Sequence, residues 1–140
     1  MGANDNDLVE MYTKQIRCLL ELAAPAWHGA ITMEERTNIE RIQKSAAHII
    51  LGEDYLSYKC ALKALNLDSL ENRRDKLCLN FGRKAEKHHK FQKWFRPKVY
   101  NQKTRQAMTK YFPVKAKHSR LEKSPISVLT RILNTYHRRK

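Results

Sequence analysis

Apolar residues in this chain recur at three- and four-residue steps, and no stretch of useful length alternates at two. Leu8, Met11, Tyr12, Ile16, Leu19, Leu20 and Ala23 form one stripe of an amphipathic helix over 8–24. Pro25 is expected to stop that helix, because proline lacks a donor and disfavours helical backbone in the residue before it. Thr32 and Glu35 have capping-box spacing ahead of a second stripe, Ile39, Ile42, Ala46, Ile49 and Ile50, and Gly52 stands where a C-terminal cap belongs. Tyr58, Leu62 and Leu65 predict a short helix. Asp68 with Glu71 opens another, whose inner face is Leu70, Leu77, Phe81 and Ala85. After the aromatic cluster "FQKWF" and Pro97 the period lapses until Ser124 and Pro125, an N-cap followed by a first-turn proline, begin a last helix with Ile126, Leu129, Ile132 and Leu133 on its face.

The pattern predicts an all-α fold, a small bundle of four or five helices with a basic linker and a C-terminal helix. The expected divisions are a disordered start at 1–7, a helical domain at 8–96, the linker at 97–123 and the final helix and tail at 124–140. Trp27, in the short connection "PAWHG", is expected to cover the open end of the seam between the first two helices.

Charge is divided unevenly. Residues 1–72 carry seven Lys/Arg against eleven Asp/Glu, a net of −4, whereas residues 73–140 carry 21 against three, a net of +18. So much charge of one sign repels itself unless a polyanion neutralises it, which makes nucleic acid the first partner to consider and an anionic membrane surface the second. Hydrophobic residues make up 41% of the chain, so its composition as a whole is not that of a disordered protein. The series Arg73, Arg74, Lys76, Arg83, Lys84 and Lys87, on the helix after Asp68, is the expected phosphate track. Phe81, Phe91, Trp94 and Phe95 interleave with these cations and are read chiefly as core anchors.

The sequence carries no constellation for catalysis. Glu34-Glu35 and Glu53-Asp54 are sequence neighbours that do not converge as a two-metal site would, and His88, His89 and His118 lack paired zinc-site spacing. Four glycines make no phosphate loop, so neither a metal nor a cofactor is expected. Cys18, Cys60 and Cys78 are odd in number and sit singly within helical patterns, which predicts buried free thiols and an intracellular setting. No run approaches the roughly 18 apolar residues of a membrane span, and no membrane partner is expected.

The runs "MYTKQIRCLLELAAPAWHGAITMEERTNIERIQKSAAHIILG", "YKCALKALNLDSLENRRDKLCLNFGRKAEKHHKFQKWF" and "SPISVLTRILN" together resemble the C-terminal portion of non-LTR retrotransposon reverse transcriptases. The likeness is carried by Arg17, Leu20 and Glu21 before the Pro25-x-Trp27 turn, by Glu40, Gln43, Lys44 and Gly52 in the next helix, and by Leu62, Leu65, Leu67, Leu70, Arg73 and Arg74 beyond it. Leu22 departs from the pattern, standing where the family commonly has an aromatic residue. The resemblance implies a thumb and the helical segment after it, which help hold the template-primer duplex, an RNA/DNA hybrid. It also implies that the polymerase aspartates belong to a palm domain upstream of residue 1, so this chain is expected to be a non-catalytic piece whose partners are nucleic acid and that palm. The alternative is an orphan helical protein-interaction domain or remnant with no nucleic-acid role of its own.

Overall fold

Thr32 starts the longest helix in the manner its spacing predicts: its hydroxyl accepts the Glu35 N–H at 3.2 Å while the Glu35 carboxylate accepts the Thr32 N–H at 2.6 Å. In the computed structural model, which describes residues 4–97, 109–115 and 117–139, the elements are α1 (Asp5–Met11), α2 (Arg17–Glu21), α3 (Ala24–Trp27), α4 (Met33–Leu51), α5 (Tyr58–Ala64), α6 (Leu70–Lys87), α7 (Ser119–Glu122) and α8 (Pro125–Arg138). A π-helical turn, Tyr12–Ile16, joins α1 to α2, and single 3₁₀ turns follow α4 and α6. The fold is all-α. Among the described residues the only β-type pairing is an isolated antiparallel bridge between Pro97 and Tyr111.

Local chemistry explains most helix ends. Gly52 closes α4 with φ of 52°, a conformation that costs glycine little. Ser57 caps α5, Ser69 Oγ accepts the Asn72 N–H at the start of α6, and Ser124 with Pro125 begins α8. Asp68 is therefore not the cap of α6; its carbonyl has a different partner, described below. The first helix ends earlier than Pro25, because Leu22 leaves helical backbone and Ala23 takes φ of 51°. Pro25 instead occupies the first turn of α3, where its missing donor would be unpaired in any case. Residues 5–7, expected to be disordered, begin α1, with Asp5 and Asp7 in the first turn where the helix dipole favours negative charge. Residues 1–3 lie outside the described residues.

The chain forms two compact units, Met1–Ala23 with Ile31–Arg74, and Ala24–Ala30 with Asp75–Lys140. The boundary thus falls within α6 and not at residue 96, and α8 is no appendage. In the first unit, Tyr12, Gln43, Ala47, Ile50, Ala61, Leu70 and Arg74 are buried. The inner face of α4 is Gln43, Ala47 and Ile50, rotated from the expected stripe, and Ile42 and Ile49 are 44% and 74% exposed. Gln43 sits inside because every hydrogen-bonding atom of its amide side chain is engaged. Its Oε1 accepts from the Tyr12 hydroxyl at 2.8 Å, and its Nε2 donates to the Tyr58 hydroxyl at 3.1 Å and to the Asp68 carbonyl at 2.9 Å. Of the cysteines, all free, Cys78 is buried as expected but Cys18 and Cys60 are exposed.

The second unit is built on Cys78, Ala85, Phe95, Tyr111, Leu129 and Leu133, with Leu79, Phe81, Phe91, Trp94 and Ile132 packed around them. Gly82 lets α8 approach α6: a Cβ there would lie 3.3 Å from Leu133 Cγ. The segment carrying Trp27 belongs to this unit and packs against α8. Trp27 is half-buried, its neighbour His28 is buried with Nε2 at 2.9 Å from Asp75 Oδ1, and Gly29 touches Val128. The expected linker at 97–123 is structured where it is described, since Tyr111 is a core residue and α7 precedes α8; its residues 98–108 and 116 lie outside the described residues.

Candidate nucleic-acid interface

Helical spacing divides the six predicted phosphate-binding cations. At about 100° per residue, Lys76, Arg83 and Lys87 fall within roughly 40° of one another and Lys84 stands next to them, whereas Arg74 points about 160° away from Lys76. Arg74 accordingly lies on the buried line Leu70, Arg74, Cys78 and Ala85, with no exposed surface. Removed from solvent, it has no access to a phosphate backbone, and its place in the track is corrected. Arg73 is half-buried and held in a two-point ion pair: its Nε bonds Glu21 Oε1 and its Nη2 donates to Glu21 Oε2 at 2.9 Å. That pair raises the guanidinium pKa further, and it fixes α2 against α6 within the first unit. Arg73 is therefore a structural cation.

The remaining four, Lys76, Arg83, Lys84 and Lys87, are exposed on one face of the part of α6 that belongs to the second unit. Arg83 also stacks over the Tyr136 ring, its Cζ 5.2 Å from the centroid, which steadies the guanidinium without removing it from solvent. Nearby carboxylates are engaged elsewhere. Asp75 pairs with His28, and Glu86 turns inward, where its carboxylate is bonded by Lys110 and the Tyr111 hydroxyl, with His137 Nε2 at 3.3 Å. Burial opposes ionisation of Glu86, but the hydrogen bonds from Lys110, Tyr111 and His137 outweigh it and hold the carboxyl below its ordinary range. Burial, reinforced by the bond to Glu86, pushes the Tyr111 phenol up to about 12.

A second basic feature escaped sequence reasoning. A cleft of about 810 Å³ in the second unit is lined by Lys93, Trp94, Arg96, Phe112, Lys115 and Ile126 among others. Trp94 is half-buried and Phe112 is 54% exposed. The alternation of cations and aromatics in "FQKWFRPK" was one signal of it. Phe112 and Lys115 gave none, because they lie in a stretch without periodicity and reach the cleft only through the bridge that pairs Pro97 with Tyr111.

No group of His, Cys, Asp and Glu among the described residues is arranged to hold a metal ion, and no described helix is long and apolar enough to cross a membrane. Comparisons with protein-family models, with curated proteins and with solved structures find no match for this chain.

Proposed function

We propose that the chain is a non-catalytic, thumb-like helical module of a non-LTR retrotransposon reverse transcriptase, and that Lys76, Arg83, Lys84 and Lys87 contact the backbone of a template-primer duplex. The observation that carries this is the single exposed face of four cations on a rigid helix, with the adjacent Asp75 and Glu86 each paired to other groups. The ordered sequence resemblance supports it. Such a face neutralises phosphates without reading bases, so binding is expected to be sequence-tolerant and strongly salt-dependent. Four phosphate contacts give a loss of roughly a hundredfold between about 50 and about 200 mM salt. Anisotropy titrations against an RNA/DNA hybrid, a DNA duplex and single-stranded RNA test this. The triple substitution Arg83→Ala, Lys84→Ala and Lys87→Ala is expected to weaken duplex binding while leaving the melting temperature intact. Salt-insensitive duplex binding, or an unchanged affinity in that variant, refutes the assignment.

A second reading has its own support in the first unit, where Leu19, Leu22, Met33, Ile49 and Leu56 are between 68% and 85% exposed. Exposed apolar side chains of this kind are what a module made to seat on a palm domain would present, and they act as a docking surface where they lie together. Concentration-dependent self-association together with no nucleic-acid affinity would favour docking as the sole role.

A further inference from the structure

Phe112 is held outward by a rigid frame. The neighbouring Tyr111 is fixed by the side chain of Asn134 on α8, whose Oδ1 accepts the Tyr111 N–H at 2.9 Å and whose Nδ2 donates to the Tyr111 carbonyl at 3.0 Å. The Phe112 N–H donates to the Arg96 carbonyl at 2.9 Å. Extended backbone alternates its side chains, so with Tyr111 anchored in the core by Phe95 and Glu86, Phe112 faces away from it. The result is an aromatic ring on the wall of a cleft beside Trp94, among three exposed cations, Lys93, Arg96 and Lys115, with no carboxylate among the described lining residues.

We propose that this cleft binds an unpaired nucleotide of a single-stranded nucleic acid, the base stacking on Phe112 or Trp94 and the flanking phosphates resting on Lys93, Arg96 and Lys115. A base inside a duplex is already stacked on both faces and does not present itself to a recessed ring, whereas an unpaired base does. The volume lies within the roughly 300–1,000 Å³ typical of sites for small ligands. The cleft is distinct from the α6 face and shares with the proposed function only the nature of the partner, so that single strand beside a duplex would meet one site and the duplex the other.

The test is anisotropy of the intact chain with labelled oligo-dT, oligo-U, a blunt RNA/DNA hybrid and the same hybrid with a single-stranded overhang. Single strand and overhang are expected to bind in an Phe112-dependent way: Phe112→Ala lowers their affinity about tenfold, the worth of one base–aromatic stack, and Phe112→Trp restores it. Blunt-hybrid affinity is expected to be unchanged by Phe112→Ala. As a second, independent variant, Lys93→Ala with Lys115→Ala is expected to reduce the single-strand salt slope by about 1.4. Single-strand affinity that ignores both variants overturns the proposal, as does competition by polyglutamate as effective as that by oligonucleotide. Loss of the single-strand effects with intact, salt-dependent hybrid binding overturns the cleft alone. Phe112-dependent single-strand binding without hybrid binding overturns the duplex function alone.

Discussion

The Tyr12 hydroxyl donates to Gln43 Oε1 at 2.8 Å, and this bond joins two helices through a pair of residues that are both buried. Gln43→Leu keeps the volume but leaves Tyr12 and the Asp68 carbonyl without their partner. At about 1–3 kcal/mol for the stranded hydroxyl of the buried Tyr12, with Asp68 exposed to water, a loss of roughly 1–3 kcal/mol is expected in denaturant unfolding. An unchanged midpoint would show that water replaces the amide.

On the proposed function, substitutions at Arg74 and on the α6 face separate stability from binding. Truncating a fully buried long side chain leaves a cavity, so Arg74→Ala is expected to cost about 2–5 kcal/mol. Nucleic-acid affinity per folded molecule should hold, measured under conditions where circular dichroism shows the variant folded. A selective fall in affinity would return Arg74 to the binding track.

Gly29 is required by space. An added Cβ would lie 2.3 Å from Val128 Cγ2 and 3.0 Å from the Lys123 carbonyl oxygen. Gly29→Ala is expected to destabilise by about 1–3 kcal/mol, as overpacking does, and Val128→Ala in the same chain should recover part of the loss. A double-mutant cycle with no coupling would mean that the segment shifts away freely.

Glu86 makes stability depend on acid. Its folded pKa lies below the ordinary 4.5, so the ion contributes stability at pH above about 4.5, and that contribution is lost as pH falls through the lower folded value. Glu86→Gln removes the charge that Lys110 and His137 face. The variant is expected to be less stable at neutral pH and to show a flatter stability profile below pH 4.5. Parallel profiles for the two proteins would refute the assignment.

The features legible in the sequence were the short-range ones. Thr32 with Glu35, Gly52, and Ser124 with Pro125 announce helix ends because each acts within four residues of its partner. Gln43 was hidden because its three partners lie 15, 25 and 31 residues away, and nothing local shows that an amide there is satisfied. Arg74 was legible but missed: four residues from both Leu70 and Cys78, it belongs to their row. Tyr111 and Phe112 had no periodic context, and contacts distant in sequence, from Asn134, Arg96, Phe95 and Glu86, give them their places.

Asn134 lies 23 residues beyond the Tyr111 it secures, and this distance sets an order of events during synthesis. The first unit possesses its last residue once Arg74 has emerged from the ribosome. The second needs Leu129 and Leu133 to complete its core and Asn134 to settle the backbone beside Phe112, so the cleft wall is finished only when α8 has been made. The basic half of a nascent chain therefore carries its charge before it carries the fold that aims it.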